Sequence, residues 1–200
     1  MKPLRSLLLA GLAIFAAASV HATTVVAPTF DELVTRAQLI FEGTVTEVQS
    51  QWAGEGGQRH IVSYVTLQVN DGLKGDAGAT YTLRMLGGTV GDYTMGVSDA
   101  PQLKVGDRNI LFVENNGTQA IPLVGIMHGQ FRVQQDAATG ADVVVNHEGA
   151  PVSDVARIGK DEQGERTMTD HHEAANDGKP ALTTSTFKAA IQAKLAEAAQ

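Results

Sequence analysis

Residues 60–70 read HIVSYVTLQVN, and they carry the clearest alternation of apolar and polar side chains in the sequence. Side chains of an extended strand point to alternate faces, so the apolar set falls on one side and the polar set on the other. The apolar positions are Ile61, Val65, Leu67 and Val69, and the polar positions are Tyr64, Thr66, Gln68 and Asn70. The stretch therefore predicts a half-buried β-strand.

The preceding strand, predicted over residues 39–48, has a defect in its alternation. Its apolar positions start on Leu39, Phe41 and Val45 but end on Val48. A slip of one residue is typical of a β-bulge, which lets a strand bend. The slip therefore predicts a bent strand of the kind found in small barrels.

A short helix is predicted directly before this bent strand. Thr29 and Glu32 have the spacing of a capping box, in which each side chain satisfies a free backbone amide at the helix start. The apolar side chains that follow share one helical face. They are Phe30, Leu33, Val34 and Ala37.

The rest of the region up to residue 145 reads as short strands separated by turns. The strands are predicted at 81–85, weakly around 89–97, and then at 109–113, 121–127, 131–133 and 143–145. The apolar run at 110–113 indicates burial on both faces. Asn116-Gly117 predicts a hairpin turn, and with Thr118 it also spells an N-x-T sequon that the turn explains without a sugar. The fold class is all-β, with residues 23–158 forming a small OB-like barrel or a compact sandwich.

The C-terminal part changes composition. Nine of the 23 residues at 159–181 are charged, and Met168 is the only apolar side chain there larger than alanine. This composition predicts a mobile acidic linker over residues 159–184. A C-terminal amphipathic helix is predicted over 185–200, with Thr186 as its cap. Its apolar stripe is Phe187, Ala190, Ile191, Leu195 and Ala198.

Residues 1–22 have the three parts of a cleavable signal peptide. Lys2 and Arg5 are basic, residues 7–20 are almost wholly apolar, and Val20-His21-Ala22 places small residues where a signal peptidase cleaves, before Thr23. The alternative is a membrane anchor, but the run is shorter than the roughly 20 residues that span a bilayer. We expect a protein of the periplasm or the medium, with no membrane anchor after cleavage.

Cysteine and charge content exclude several classes of function. The chain has no cysteine, so a disulfide framework, a lipid anchor on cysteine and a thiol catalyst are all excluded. Loss of Lys2 and Arg5 with the signal changes the formal net charge from −7 to −9. Such an acidic chain repels nucleic acid and anionic lipid, so neither is expected as a partner.

The order of motifs between residues 30 and 133 resembles a family of uncharacterised exported bacterial proteins. The motifs are RAQLIFEGTV at 36–45, YVTL at 64–67, LKG at 73–75, LGG at 86–88, PQLKVGDR at 101–108, LFV at 111–113, PLVG at 122–125 and GQFRV at 129–133. They are turns and strand cores, and the resemblance implies an OB-type barrel. They identify a family better than they identify a function.

The same order of strands and turns is loosely similar to netrin-like modules, which include the tissue inhibitors of metalloproteinases. The resemblance implies a regulator of an exported metalloprotease. The family chelates the protease zinc through an N-terminal cysteine, whereas this chain starts at Thr23 after cleavage and has no cysteine. The inhibitory residue therefore cannot be carried over.

Few residues form a pattern that predicts catalysis or metal binding. Asp170, His171, His172 and Glu173 are the densest set of candidate metal ligands, although their context favours a solvated linker. The stretch 96–100 departs from a nucleophile elbow, because Ala100 replaces glycine and Pro101 follows. His60, His128 and His147 are isolated from one another in sequence. We predict no catalytic residue and no cofactor.

Four aromatic side chains are candidates for a recognition face, namely Trp52, Tyr64, Tyr81 and Tyr93, and Arg84 is a further candidate. OB-type barrels bind ligands on strands two and three, where Tyr64 and Arg84 are expected to point outward. The alternative is that the aromatic side chains only shield the edge of the core.

The sequence favours an exported, non-catalytic module that binds another exported protein. Two alternatives stay open. One is the regulator of a co-exported metalloprotease, and the other is a metal-binding protein or metal-assisted enzyme that uses His171 and His172.

Overall fold

A computed structural model describes residues 26–160 and 179–198 of the chain. Eight strands are found there: β1 (Leu39–Ala53), β2 (His60–Lys74), β3 (Thr80–Leu86), β4 (Gly88–Val90), β5 (Tyr93–Met95), β6 (Arg108–Val113), β7 (Gln130–Gln135) and β8 (Asp142–Val145). The helices are α1 (Phe30–Arg36) and α2 (Thr184–Ala198). The prediction of a mostly β protein with an N-terminal and a C-terminal helix is confirmed. The predicted signal peptide and most of the predicted acidic linker lie outside the described residues.

The strands form one six-stranded antiparallel sheet in the order β3-β2-β1-β6-β7-β8, with β4 and β5 as a separate hairpin. Closure into a barrel is not found among the described strands, because β3 and β8 stand at opposite ends of the sheet. Both outer edges bond to other segments instead. Asn116 and Ala120 bond to β3, while Val152 and Leu182 bond to β8.

Bulges bend β1, as its broken alternation predicted. Its register with β2 shifts at three places. The last shift lies between Val45 and Glu47, where Thr46 has no opposite residue in β2. Beyond that bulge Val48 faces Val65 directly. The extra residue therefore moves Val48 onto the face that Val45 occupies.

Both faces of the sheet carry a core. On one face α1 and α2 cover Phe112 and Phe131, and Phe187 of α2 packs between them with ring centroids at 4.9 Å from Phe131. The other face holds a second cluster around Phe41 and Leu111. β6 runs between the two clusters and is buried from Asn109 to its end, which confirms the prediction of burial on both faces.

Capping interactions fix both ends of α1. The Thr29 hydroxyl accepts a hydrogen bond from the Glu32 amide, and the Glu32 carboxylate accepts one from the Thr29 amide, so the predicted capping box is present. At the other end the Lys74 ammonium donates to the carbonyls of Val34 and Thr35. A cation is favourable there because the last carbonyls of a helix carry partial negative charge.

Helix α2 docks on the sheet through buried side chains and ion pairs. Phe187 and Ile191 are fully buried. Lys188 binds the buried carboxylate of Glu42 at 2.9 Å, and it also binds the carboxylate of Asp71 at 2.8 Å. Neither helix is long and apolar enough to cross a bilayer, within the part of the chain that the structure describes.

The cap of α2 corrects one prediction. The Thr183 hydroxyl accepts from the Thr186 amide at 3.2 Å, and the helix starts at Thr184. Thr186 is therefore the donor at this cap and not the capping residue. Several residues of this segment have a short hydroxyl side chain, so composition alone did not settle which of them leads the helix.

Residues 121–127 do not form the predicted strand. Leu123 makes a single bridge to Val113, and the chain then turns into a 3-10 helix at Ile126–Gly129. Gly125 and Ile126 both have positive φ, which a strand cannot accommodate. The run is apolar because Leu123 and Val124 enter the two cores, not because the backbone stays extended.

Two further predictions need correction. The weak strand around residues 89–97 is a hairpin of β4 and β5, because the chain reverses at Gly91, where φ is +58°. Asn116-Gly117 is not a two-residue hairpin turn. It lies within the wider loop between Val113 and Leu123, and Asn116 leaves that loop to bond β3.

Candidate functional site

A groove of about 430 Å³ lies where the β4–β5 hairpin crosses the sheet. The ends of β1, β2 and β3 form its floor, and the hairpin and the loop after it form its walls. The floor residues are Val48, Ser50, Ser63, Val65 and Met85, and the wall residues include Thr94, Met95, Val97, Pro101 and Leu103. The lining mixes apolar side chains with hydroxyl groups and contains no charged side chain.

A serine pair holds the hairpin against the floor of the groove. The hydroxyl oxygens of Ser50 and Ser63 are 2.8 Å apart, and the Ser63 hydroxyl donates to the Gly87 carbonyl at 2.7 Å. Gly88 lies directly on the pair, with φ at +134°, and a Cβ there would collide with both hydroxyls. Only glycine fits this crossing, so the Gly87-Gly88 doublet sets the position of the hairpin.

These serines are not arranged as nucleophiles. An activated serine needs a general base within hydrogen-bond reach, such as a histidine. The hydroxyls of Ser50 and Ser63 bond to each other and to a carbonyl, and no hydrogen bond joins them to a histidine or carboxylate of the described chain. Their arrangement supports a structural role.

Aromatic side chains lie together beside the groove, since Trp52 is on the same face of β1 as the groove residues Val48 and Ser50. The rings of Trp52 and Tyr93 meet edge to face with centroids 5.7 Å apart. The Arg59 guanidinium lies over the Trp52 ring, 4.5 Å from its centre. Trp52 is 38% exposed, Tyr93 67% and Val48 41%. This set is called the aromatic rim below, and it comprises Val48, Trp52, Arg59 and Tyr93.

The candidates Trp52, Tyr64 and Arg84 are not brought together on one face. Trp52 lies in the aromatic rim. Tyr64 and Arg84 are direct cross-strand partners on β2 and β3, but they lie on the opposite face of the sheet. Tyr64 faces Gln49, whereas the groove face of β1 is formed by its neighbours Val48 and Ser50.

Tyr93, another aromatic candidate from the sequence, does meet Trp52 in this rim. Its position depends on the turn at Gly91 and on the crossing at Gly88, and neither leaves a periodic signal in the sequence. Tyr81, by contrast, packs against Phe41 at 5.4 Å between ring centroids. That aromatic side chain does shield the core.

The candidate metal ligands Asp170, His171, His172 and Glu173 lie outside the described residues. Within residues 26–160 and 179–198, no three His, Asp or Glu side chains come together in a way that could hold a metal ion. The loop at 96–100 is not a strand-to-helix elbow: it has no helix after it. Asp99 in this loop has positive φ, at 59°.

Two histidines that are isolated in sequence meet in the fold. The rings of His128 and His147 are 4.9 Å apart between centroids and nearly perpendicular. Burial, with the neighbouring His147, lowers the pKa of His128 to about 4, and burial also lowers the pKa of His147. Both rings are therefore neutral at pH 7. His60 lies apart from them and contacts the Gln58 carbonyl.

Comparisons of the chain with protein-family models, with curated proteins and with solved structures found no match. The interpretation of the groove therefore depends on its own geometry.

Proposed function

We propose that the chain is an exported, non-catalytic module that binds another exported protein through the groove and its aromatic rim. Five large apolar side chains are exposed in the described residues; one of them, Val48, lines the groove, and two others, Trp52 and Tyr93, contact each other beside it. Exposed apolar groups that cluster beside a concavity are typical of protein-binding surfaces, and Trp and Tyr contribute much of the energy at such surfaces. This clustering carries the proposal.

The compartment belongs to the proposal and is supported by the sequence alone. The signal-like residues 1–22 and the absence of cysteine fit a periplasmic or secreted protein that folds without disulfides. We also propose that the chain is related to uncharacterised exported bacterial proteins and that its fold is of the OB-barrel type. Their support is the bulged β1 beside the long antiparallel β2.

The alternative functions gain no supporting contact. Regulation of a metalloprotease rests on the loose netrin-like resemblance, and metal chemistry rests on His171 and His172, which the structure does not describe. Both stay predictions. The groove and its rim support protein binding more directly.

The test is affinity capture with the mature protein from the exported fraction of its own source. We expect a reproducible partner that is captured by the wild type and lost with Trp52→Ala or Tyr93→Ala. Tyr64→Ala is the matched control, since Tyr64 is an aromatic side chain on the opposite face of the same sheet. Capture that persists in both rim variants, or no reproducible partner at all, would overturn the proposal.

A further inference from the structure

The second half of β1 has a free edge. β6 pairs with β1 only from Leu39 to Thr44, and the bonds of Val45 to Gly106 and Asp107 extend this pairing by one residue. From residue 47 to residue 53 the strand pairs with β2 on one side. In the described chain, no backbone segment bonds to its other side.

The hydrogen-bond pattern shows which groups point out of this edge. The Ile61 carbonyl accepts from the Gly87 amide, and the Ile61 amide donates to the Met95 sulfur, so both groups of Ile61 point away from β1. Trp52 is the antiparallel partner of Ile61, so its own N–H and C=O point away from β2. The pattern repeats every two residues. Val48, Ser50 and Trp52 therefore direct six backbone groups to the free side.

Within the described residues, the other sheet edges bond to covering segments, whereas this edge bonds to no backbone segment. The outer edge of β3 bonds to the Asn116 side chain and the Ala120 carbonyl, and that of β8 bonds to Val152 and Leu182. Proteins commonly protect an open edge with proline, lysine or a covering loop. Residues 47–53 contain neither proline nor lysine, and no described loop bonds to their backbone.

We propose that two copies of the chain pair through this edge, antiparallel about a twofold axis at Ser50. In that register Val48 of each copy faces Trp52 of the other, and Ser50 faces Ser50. Each of the three pairs joins residues whose N–H and C=O point outward, so all six groups of each copy are bonded. A slip by two residues leaves some of these groups without a partner. The edge therefore favours one register.

The side chains are compatible with this register. Val48 and Trp52, which are partly exposed in the single chain, become cross-strand apolar pairs. Glu47 faces Ala53, and Gln49 faces Gln51, so no like charges oppose each other. Val105, which is 65% exposed, precedes the Gly106 amide that bonds Val45 and lies where the free edge begins.

The free edge of β1 has room for one short strand only. It is bounded by the bonds of Val45 at one end and by Gly54, with φ at +77°, at the other. A contact between two seven-residue strands buries less than the roughly 1,600 Å² typical of stable complexes. The dimer is therefore reversible and depends on concentration. It places both grooves on the same face of one continuous sheet, where a single partner with two binding segments can engage both.

Charge-swapped pairs at positions 49 and 51 test the register. Gln49 and Gln51 are exposed on the face opposite the groove. Gln49→Lys with Gln51→Lys opposes two pairs of lysines across the edge, whereas Gln49→Lys with Gln51→Glu opposes lysine to glutamate. Sedimentation of purified protein over a concentration series should show a dimer in the wild type. The double-lysine variant should dimerise about tenfold more weakly than the lysine–glutamate variant.

The outcomes are distinct from those of the partner-binding test, because only the purified chain is measured. A circular dichroism spectrum and melting curve for each variant confirm that the fold is retained. A wild type that stays monomeric at all concentrations would overturn the inference. A dimer that responds equally to both charge variants would overturn the register and with it the proposed edge.

Discussion

The two ends of the central sheet differ in how completely their side chains and backbone are covered. At the end formed by β6, β7 and β8, two helices seal one face, and Phe112, Phe131 and Phe187 interlock. At the far end of β1 and β2, the described part of the chain leaves a groove, an aromatic rim and an unpaired strand edge. We therefore expect stability to depend mainly on the first end and the proposed partner binding on the second. Substitutions at the two ends should have opposite consequences for folding and for binding.

The largest expected effect is at the sealed end. Phe187→Ala removes a fully buried ring that contacts three other phenylalanines, and we expect a loss of about 3–5 kcal/mol in the free energy of unfolding. Tyr93→Ala removes an exposed ring at the open end and should cost less than about 1 kcal/mol. Urea denaturation of both variants gives the comparison. Equal losses in the free energy of unfolding would show that the sealed end does not contribute more to stability than the open end.

The charge network under α2 should give the next largest effect. Glu42 is buried with a side-chain exposure of 5%, and it binds Arg108 at 2.8 Å and Lys188 at 2.9 Å. Glu42→Gln removes its charge and leaves both cations short of a partner, at a cost of about 2–4 kcal/mol by chemical denaturation. The matched control is Lys194→Gln, which breaks exposed pairs with Asp31 and Glu197 and should change the stability very little. A Glu42→Gln cost as small as that of the control would contradict this role.

The histidine pair predicts a dependence of stability on pH. Unfolded His128 takes up a proton near pH 6.5, whereas the folded protein keeps the ring neutral until the pH reaches its pKa of about 4. The unfolded state binds the extra proton between these values, so the stabilisation is complete above pH 6.5 and is lost as the pH falls toward 4. The difference between pKa values of 6.5 and about 4 corresponds to about 3 kcal/mol, and solvent screening of the incompletely buried ring reduces the expected loss to about 2 kcal/mol.

Unfolding curves measured across this pH range test the histidine effect. His128→Gln should flatten the dependence. His60→Gln should leave it unchanged, since His60 lies at the start of β2 and its ring contacts the Gln58 carbonyl. A wild-type curve that is flat between pH 6.5 and 4 would rule out the buried neutral histidine.

A smaller effect is expected at the protected edge of β3. The Asn116 amide donates to the Thr82 carbonyl at 2.8 Å, and its oxygen accepts from the Arg84 amide at 2.9 Å. Asn116→Ala exposes these backbone groups and should cost about 1–2 kcal/mol. Thr118→Ala removes the same sequon but only one hydrogen bond, to the Asn115 carbonyl, and should cost about 0.5 kcal/mol. Thermal denaturation of both variants separates the edge role of Asn116 from its sequon.

Local patterns were sufficient to predict much of the fold. The capping box at Thr29, the bulge after Val45 and the two-sided burial of β6 each depend on neighbours in sequence, and each is confirmed. The apolar run at 121–127 failed as a strand because positive φ at Gly125 and Ile126 turns the backbone. The apolar periodicity of the sequence predicts which side chains are buried, but it does not predict how the backbone turns between them.

The site could not be predicted to the same extent, because it depends on long-range register. Trp52 was identified as a surface aromatic, but its contact with Tyr93 requires the crossing at Gly88. Tyr64 and Arg84 were expected beside Trp52, but they lie on the opposite face of the sheet. The extra residue in β1 determines which side chains share the face of Trp52. The meeting of His128 with His147 likewise has no local signal.

The most direct test of the open end is amide hydrogen exchange, resolved by residue, on dilute purified protein. The amides of Val48, Ser50 and Trp52 point to the free edge and should exchange fast, while those of Gln49 and Gln51 bond to β2 and should exchange slowly. Protection of the first set should appear only as the protein concentration rises. Slow exchange of all five amides in the dilute protein would show that the edge is covered in the single chain and would contradict the account.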